Sequence, residues 1–352
     1  MKILVTGNMG YVGPLVLRRL RESNPQATLV GYDMGYFAHC LTGASRLPES
    51  RADQQHFGDI RQVPEQILQG VDAIVHLCAI SNDPMGATFE KVTLDINHRA
   101  SIDLARKAKR AGVKKFVFAS SCSVYGFAEG GPRREEDALN PLTAYAKSKV
   151  QTEQDLESLA SESFTATCLR FATACGMSDR LRLDLVLNDF VAGALASKRI
   201  SILSDGTPWR PLIHVKDMAR AIDWAVQRDS RDGGSFLTVN AGSDAWNYQV
   251  KDLAAAVANL VPNVEVLINK DAQPDKRSYR VNFDKFSKLA QGFLPMVDLQ
   301  SAVKDLRDGL MAMQFRDHEF RTGELIRLVT LKRLRESGQL TDDFVWKERS
   351  NA

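Results

Sequence analysis

Residues 2–13 read Lys2-Ile3-Leu4-Val5-Thr6-Gly7-Asn8-Met9-Gly10-Tyr11-Val12-Gly13, and this stretch decides the fold. A short apolar run leads directly into three glycines spaced three residues apart, and a helical pattern follows over residues 14–21. This order predicts a strand, a tight turn and a helix N-terminus. In such a turn the glycines let the backbone approach a pyrophosphate, and the unpaired N–H groups at the positive end of the helix dipole receive its charge. We therefore expect a dinucleotide as ligand.

Asp33 supports this prediction from the end of a second apolar run, residues 27–32, and it follows Gly13 by twenty residues. An acidic side chain at this position can accept hydrogen bonds from both hydroxyls of an adenosine ribose. It also repels a 2′-phosphate, so the sequence favours NAD over NADP as the cofactor. The alternative for Asp33 is a solvated loop carboxylate.

The composition is that of an ordinary globular protein with one large domain or two associated ones, since 44% of the 352 residues are hydrophobic and 25% are charged. With 46 basic and 43 acidic residues, the formal charge of +3 is too balanced to indicate a nucleic acid or a membrane surface as partner. The first strand begins at Lys2, which leaves no room for a signal peptide, and no apolar run is long enough to span a bilayer. We expect a cytoplasmic protein.

The five cysteines are scattered and lie mostly in apolar runs, which is typical of reduced thiols rather than of a disulfide framework. They are Cys40, Cys78, Cys122, Cys168 and Cys175. No paired-cysteine metal motif is present, so we expect no metal site.

Further apolar runs alternate with helical patterns along the chain. These runs cover residues 72–79, 115–121, 166–171 and 236–240. Between the first two, residues 95–110 have helical spacing, which ends at Ala111-Gly112. Nearly continuous apolar strands separated by helices predict an α/β protein with a doubly wound parallel sheet, the Rossmann fold, with right-handed crossovers.

The pattern loosens after residue 175, which predicts a second, smaller α/β lobe threaded through the end of the sheet domain. We assign residues 1–175 and 211–243 to the Rossmann domain, and residues 176–210 and 244–352 to the smaller lobe and C-terminal helices. Ligands should lie between the two, at the carboxyl ends of the strands. Residues 319–346 are predicted to form a charged terminal helix that is solvated or faces a dimer partner.

Tyr145 and Lys149 lie four residues apart, so on a helix they share one face. Lowering a tyrosine pKa from about 10 to about 7 requires roughly 4 kcal/mol of preference for the phenolate. A cation at about 4 Å, with an effective dielectric constant near 20, supplies about that much. Lys149 could therefore make Tyr145 a general base, with help from an oxidised nicotinamide. Such a pair also occurs by chance on exposed helices.

Ser120-Ser121-Cys122-Ser123-Val124-Tyr125-Gly126 places hydroxyls where the fourth predicted strand ends, facing the same crevice as the glycine turn. With these three features the chain resembles the extended short-chain dehydrogenase/reductase family, in particular the NAD-dependent sugar-nucleotide epimerases and dehydratases. The other matching motifs are Gly58-Asp59-Ile60-Arg61, His76-Leu77-Cys78-Ala79, Asn97, Arg170-Phe171-Ala172-Thr173 and Arg210-Pro211-Leu212-Ile213-His214-Val215-Lys216-Asp217.

The resemblance implies a catalytic group, contacts to NAD and contacts to a nucleotide-diphosphate sugar. The catalytic residues are Ser121, Tyr145 and Lys149. The cofactor contacts are Gly7, Met9, Gly10, Tyr11, Val12, Gly13, Asp33, Asp59, Ile60, Leu77, Ala79, Asn97, Ser120, Tyr145, Lys149 and Phe171. The substrate contacts are Ser81, Asn82, Ser121, Thr173, Asn188, Arg210 and Arg277.

Within these sets, Asp59 and Ile60 would hold the adenine, while Asn188, Arg210 and Arg277 would grip the substrate's diphosphate. The alternative for Ser121 is a strand-end cap, and for Arg277 a salt-bridged surface residue. The sugar pocket would be built from Ser81-Asn82-Asp83, Thr173 and residues 180–184, where an arginine could meet an anionic sugar. Asp217 is expected to be an N-terminal helix residue rather than a catalyst.

Two departures from the resemblance narrow the reaction. The 4,6-dehydratases of the family carry an Asp-Glu pair directly after the catalytic hydroxyl, where this chain has Cys122 and Ser123. The 3,5-epimerase/reductases place a cysteine directly before the β-branched residue, where this chain has Ser123, and Cys122 is expected to face the core. These two differences make a 4,6-dehydratase and a 3,5-epimerase/reductase less favoured as predictions.

The prediction that remains is an isomerase, which epimerises a nucleotide-diphosphate sugar, most simply at C4, for polysaccharide or deoxy-sugar synthesis. The alternatives are an NAD(H)-dependent reductase or dehydratase of a 4-keto sugar nucleotide, and a dinucleotide-sensing binding protein. The resemblance also implies a homodimer formed through the helices of residues 97–111 and 145–159.

Overall fold

Parallel strands flanked by helices make up most of the protein. The computed structural model describes residues 1–81, 83–127, 130–269, 272 and 278–347. The strands are β1 Lys2–Thr6, β2 Thr28–Asp33, β3 Gln54–Phe57, β4 Ala73–His76, β5 Lys115–Ser121, β6 Thr165–Phe171, β7 Thr173–Cys175, β8 Arg199–Ile202, β9 Trp209–His214, β10 Phe236–Ala241, β11 Asn247–Gln249 and β12 Glu265–Ile268.

The α-helices range from one turn to more than four turns. They are α1 Gly13–Ser23, α2 Glu65–Leu68, α3 Asp83–Thr88, α4 Glu90–Leu94, α5 Ala100–Arg110, α6 Ala144–Leu159, α7 Val186–Ser197, α8 Val215–Gln227, α9 Val250–Leu260, α10 Asp284–Leu289, α11 Leu299–Ala312 and α12 Arg327–Glu336. Within the described ranges, no helix is long and apolar enough to cross a membrane.

The central sheet has seven parallel strands in the order β10-β6-β5-β4-β1-β2-β3. Alternate residues of β1 supply its two faces: Ile3 and Val5 pack in one core with Leu17 of α1, and Leu4 packs in the other with Leu104 of α5. A sheet that is buried on both faces needs nearly continuous apolar strands. The prediction of a doubly wound Rossmann sheet is confirmed.

The strand β3 is missing from the sequence prediction. It reads Gln54-Gln55-His56-Phe57 and lies at the edge of the sheet beside β2, with Gln54 and Phe57 exposed. An edge strand with polar side chains lacks the apolar run by which the other strands are recognised. As a result, the predicted fourth strand, which ends at Ser121, is the fifth in the structure.

The predicted helix at residues 95–110 begins earlier than expected. It continues from α4 through a π-helical turn, Asp95–Arg99, into α5, and Gly112 ends it with a positive φ of 82°. The π turn places Asn97 against the backbone that follows β4, where its amide binds both the N–H and the C=O of Ile80. This turn therefore fixes the chain segment that leaves the end of β4.

Two smaller sheets lie outside the main one. In the first, β9 pairs with β7 and β11, and in the second β8 pairs with β12. The helices α7, α9 and α11 pack on one another beside them. Asp217 lies in the first turn of α8, where its carboxylate accepts hydrogen bonds from the N–H groups of Met296 and Val297, so its predicted helical role is confirmed. The division of the chain into two domains remains a prediction.

The prediction for the C-terminal stretch is wrong in two respects. Only Arg327–Glu336 forms an α-helix, and the stretch is packed against the main sheet domain rather than solvated. Leu331 is 1% exposed and Phe344 is fully buried. The charged composition of the stretch conceals these few apolar residues, whose partners lie some 250 to 310 positions earlier in the chain.

Gly13→Ala should lower the free energy of unfolding by about 2 kcal/mol or more, because the added Cβ would lie only 2.0 Å from the backbone oxygen of Asn8. Gly10→Ala is the matched control, since its Cβ would lie 3.3 Å from the Gly7 oxygen, and we expect a loss within about 1 kcal/mol. Urea unfolding without added ligand measures both. Equal losses would contradict the role of Gly13 in closing the turn.

Candidate active site

One large cavity, of about 1160 Å³, opens at the carboxyl ends of the central strands. Most of the predicted site residues lie on its wall. These are Gly7, Gly10, Tyr11, Val12, Gly13, Asp33, Leu77, Ala79, Ser81, Ser120, Ser121, Tyr145, Lys149, Phe171, Thr173 and Arg210. The cavity therefore lies where a doubly wound sheet is expected to bind its ligands.

The glycine turn forms one end of the cavity. Gly7 has a φ of 75°, and a Cβ there would lie 2.6 Å from the backbone nitrogen of Cys78, so only glycine lets the turn pass this close to the end of β4. The helix α1 begins at Gly13 with its N-terminus on the cavity wall. Its first N–H groups lack partners within the helix and favour a negative charge.

Asp33 stands beside this turn at the end of β2. Its carboxylate accepts hydrogen bonds from the backbone N–H groups of Met9 (2.9 Å) and Gly35 (2.7 Å), which fix its position on the cavity wall. Burial raises the pKa of Asp33, partly opposed by these two hydrogen bonds. The turn and the carboxylate together fit the diphosphate and the ribose of a dinucleotide.

The helix α6 brings Tyr145 and Lys149 to the end of β5. Thr143 caps the helix by accepting from the N–H of Ala146, and it donates to Asp83 on the cavity wall. The hydroxyl of Tyr145 is hydrogen-bonded to Ser121. The Nζ atom of Lys149 lies 5.5 Å from the centre of the Tyr145 ring.

Ser121 caps the turn at the end of β5, which is the alternative given for its sequence position, and its catalytic role stays a prediction. Its Oγ accepts the N–H of Ser123 at 3.1 Å, which caps the 3₁₀ turn Cys122–Tyr125, and it also bonds to Tyr145. Cys122 is fully buried and its thiol donates to the carbonyl of Arg170, so it faces the core as predicted.

The predicted effect of Lys149 on the acidity of Tyr145 is not found. Burial raises the pKa of Tyr145 to about 12, although the hydrogen bond with Ser121 and the charge of Arg182 oppose this shift. Burial also lowers the pKa of Lys149 to about 8, and its ammonium donates to the carbonyl of Ala119 at 2.7 Å. In the ligand-free protein Tyr145 is therefore protonated at neutral pH.

Several predicted cofactor contacts do not reach the cavity wall. The amide of Asn97 binds Ile80 and the Oγ of Ser148, so this residue positions the wall rather than forming it. The carboxylate of Asp59 is held by the guanidinium of Arg61 at 2.6 to 3.0 Å. Neither side chain lies on the cavity wall, and the roles of Asn97 and Asp59 as cofactor contacts stay predictions.

Ile60 and Met9 are likewise buried away from the cavity, and Met9 serves the site only through its backbone N–H, which binds Asp33. Ser120 lies on the cavity wall, but its hydroxyl donates to Glu153. These contacts were assigned from motif positions alone, which do not show the direction in which a side chain is turned.

Asn188 is also corrected as a ligand of the substrate's diphosphate. It is fully buried in α7, where its Oδ1 accepts the N–H of Gly176 and its Nδ2 donates to the hydroxyl of Tyr11 and the carbonyl of Arg182. Both N–H groups of the amide and its oxygen are hydrogen-bonded within the protein, so Asn188 joins α7 to the turn after β7. The predicted substrate contacts Asn82 and Arg277 lie outside the described residues.

The opposite end of the cavity is lined by Arg182, whose guanidinium is held by Asp184 and Ser81. Its guanidinium pairs with Asp184 at 2.7 and 2.8 Å and donates to the hydroxyl of Ser81 at 3.0 Å. Arg180 turns away and pairs with Glu49. Of the two arginines in the predicted sugar segment, only Arg182 therefore lines the cavity.

A further part of the cavity wall has no counterpart among the residues predicted from the sequence. It is formed by Tyr36 and Phe37 after β2, and by Ile326, Arg327 and Leu331 of the C-terminal segment. A basic residue at the start of a charged terminal helix gives no local sign of burial. Only the fold brings it to the cavity.

Comparisons with known proteins agree with this geometry. The model of the NAD dependent epimerase/dehydratase family matches residues 3–242. The dTDP-glucose 4,6-dehydratase of Streptomyces griseus is 27% identical over 329 residues, which cover 91% of this chain and 95% of the relative. The UDP-glucose 4-epimerase of Azospirillum brasilense is 30% identical over 261 residues, which cover 68% of this chain and 72% of the relative.

Solved structures show the same fold. An NAD-dependent NDP-hexosamine 5,6-dehydratase involved in tunicamycin biosynthesis matches with a TM-score of 0.76 at 22% identity and covers 90% of this chain and 99% of its own. A UDP-glucose-4-epimerase from Stenotrophomonas maltophila, with bound NAD and formylated UDP-arabinopyranose, matches with a TM-score of 0.74 at 23% identity, covering 89% and 99%. At these identities the likeness concerns the fold.

Lys149→Met should stabilise the protein at pH 7 by up to about 3 kcal/mol, because the buried ammonium disfavours folding. Below pH 8 the lysine is charged in both states and the folded state bears the full cost. Between its folded pKa of about 8 and the ordinary value of 10.5, only the unfolded state keeps the proton, so wild-type stability rises with pH.

The gain from Lys149→Met should therefore shrink between pH 8 and pH 10.5, as measured by urea unfolding across this range. Lys147→Met is the control, since Lys147 is exposed on the same helix, and it should show no such pH dependence. A pH-independent difference for Lys149→Met would show that burial does not disfavour the charge.

Proposed function

Because the chain belongs to the NAD dependent epimerase/dehydratase family, we propose that it epimerises a nucleotide-diphosphate sugar at C4 through a transient keto sugar. NAD is the cofactor of this family and of this chain. When bound, it supplies an acceptor for a hydride from the sugar carbon and returns the hydride in the second half of the cycle. The overall reaction involves no net oxidation.

The glycine turn and Asp33 fit the cofactor. The N-terminus of α1, at Gly13, would receive the diphosphate, and the carboxylate of Asp33 would accept from the adenosine ribose. The same carboxylate would repel a 2′-phosphate. We assign the walls formed by Leu77, Ala79 and Phe171 to the cofactor as well, because they connect this end of the cavity to Tyr145.

The protein's part in the chemistry is to move one proton. Ser121 would hydrogen-bond the reacting sugar hydroxyl, and Tyr145 would take its proton through the hydroxyl pair that the structure already joins. Since burial holds the pKa of Tyr145 near 12, its ionisation needs an additional positive charge. Lys149, 5.5 Å from the ring, is already part of this environment, so the additional charge would have to come from an oxidised nicotinamide.

One observation favours epimerisation over elimination of water. The hydrogen-bonded Ser121 and Tyr145 face the cavity, whereas the next two positions carry no carboxylate: Cys122 is fully buried with its thiol on the carbonyl of Arg170, and Ser123 lies in the 3₁₀ turn. Elimination needs an acid for the leaving hydroxyl and a base for the carbon proton. Reversible oxidation needs neither.

Asp83 favours a second candidate, a dehydratase. It lies on the cavity wall, it accepts the hydroxyl of Thr143, and its charge raises the pKa of Tyr145. A carboxylate this close to the reacting groups could move the proton that elimination requires. We propose dehydration as the alternative for this reason. The homodimer through α5 and α6 also remains a proposal.

The experiment that tests the function is an incubation of the purified protein with a panel of UDP-, GDP-, CDP- and dTDP-sugars, followed by separation of isomers and mass spectrometry. A new isomer of unchanged mass supports the epimerase. Loss of water would support the dehydratase instead. If only keto sugars supplied with NADH react, the protein is a reductase and the proposed epimerisation is wrong.

Tyr145→Phe should reduce kcat by about 10² to 10⁴, because the hydroxyl that moves the proton is lost while the ring is kept. The amount of NAD bound per chain should not change. Tyr248→Phe is the control, since Tyr248 lies on β11 away from the cavity, and it should keep full activity. Turnover of Tyr145→Phe at the wild-type rate would exclude Tyr145 as the base.

A further inference from the structure

The C-terminal segment, residues 320–347, is attached to the loop that follows β2. The indole N–H of Trp346 donates to the carbonyl of Met34 at 2.7 Å, and the hydroxyl of Tyr36 donates to the carbonyl of Phe344. The ring of Phe344 is fully buried, with its centre 4.8 Å from that of Phe89. One side of the segment is therefore fixed to the wall that carries Asp33.

The same segment is also attached to the opposite wall. The N–H of Leu183 donates to the carbonyl of Leu325 at 2.9 Å. The Nη2 atom of Arg327 donates to the carbonyls of Arg180 and Leu181 at 2.8 and 3.2 Å. The segment thus connects both sides of the cavity. Arg327 is the charged residue with which it contacts the second wall.

Arg327 is 1% exposed to solvent and lies on the cavity wall, with its guanidinium 4.5 Å from the centre of the Phe37 ring. Its Nη1 atom is buried and has no hydrogen-bond partner among the described residues. Burial lowers its pKa to about 10, so the group remains charged at neutral pH. A buried guanidinium with an N–H group that makes no hydrogen bond lowers the stability of the folded protein.

Two other arginines on the cavity wall pair with carboxylates, Arg182 with Asp184 and Arg321 with Asp189. For Arg327 no carboxylate lies within ion-pairing distance in the described part of the chain. A buried charge without a partner is strongly destabilising, so an anion in the cavity would relieve this cost.

We propose that Arg327 binds the diphosphate of the bound dinucleotide and so makes the C-terminal segment part of the cofactor site. This inference rests on the proposed use of NAD. A guanidinium suits a diphosphate because its planar donors can meet two oxygens. The nucleotide sugar also contains a diphosphate. Arg327, however, stacks on Phe37, which follows Asp33 by four residues and so belongs to the cofactor end of the cavity. The expected substrate contact Arg210 lies elsewhere, on β9.

The test is the binding of three ligands to Arg327→Met, measured by competition with NADH fluorescence or by calorimetry. ADP-ribose contains the diphosphate, adenosine lacks it, and UDP represents the substrate's diphosphate. We expect the Kd of ADP-ribose to rise about tenfold or more, which is typical of a lost hydrogen bond to a charged group. The Kd values of adenosine and UDP should stay within twofold.

Arg335→Met is the matched control. Arg335 lies on the same helix and stacks on Phe89 with its guanidinium 5.2 Å from the ring centre, but it is not on the cavity wall. We expect its Kd for ADP-ribose to match the wild type. An equal loss in both variants would show that the effect comes from loosening of the helix, and would overturn the proposal.

Three other results would also overturn it: no change for ADP-ribose in a folded Arg327→Met, an equal loss for adenosine, or a loss confined to UDP, which would assign Arg327 to the substrate. If Arg327→Met does not fold, hydrogen exchange of the wild-type chain decides. ADP-ribose, but not UDP, should slow exchange of the amides in residues 324–334. None of these readouts depends on epimerase activity, so a failure of the proposed reaction would leave them unaffected.

Discussion

A buried ion pair between Glu153 of α6 and Arg170 of β6 fixes the helix that carries Tyr145 to the sheet. Both side chains are almost fully buried, and the guanidinium meets the carboxylate at 2.7 to 3.2 Å. Ser120 of β5 donates to the same carboxylate, while Arg170 donates to Tyr125. Such a pair adds little net stability, but loss of one partner costs about 3 to 5 kcal/mol. It therefore restricts α6 to the one position that places Tyr145 beside Ser121.

Burial determines the pKa values of Tyr145 and Lys149, which the ion pair holds in place through α6. The pKa of Tyr145 is raised to about 12 and that of Lys149 is lowered to about 8, so burial disfavours the charged forms of both groups. The simple Coulomb argument from their spacing omits this desolvation, which is larger than the attraction between them. In the proposed mechanism, proton transfer by Tyr145 consequently depends on a positive charge that enters with the ligands.

The parts of the protein that sequence could predict are those determined by local patterns. The glycine turn, Asp33 and the Tyr145–Lys149 pair follow from short motifs and helical spacing, and the buried strands from apolar runs. Contacts between residues distant in the sequence could not be predicted. The amide of Asn188 binds the hydroxyl of Tyr11, 177 positions earlier in the chain, which no local pattern indicates. The edge strand β3 was missed because it has no apolar run.

The C-terminal segment also bears on the choice among reactions. A reaction without net redox change returns its hydride from the same cofactor molecule, so the cofactor should stay bound throughout the cycle. A reductase must instead release NAD and bind NADH in every turnover. The C-terminal segment is attached to both walls of the cavity, through Trp346 on one side and Leu325 on the other. A wall attached at both sides in this way suits a cofactor that stays bound, as the proposed epimerisation requires.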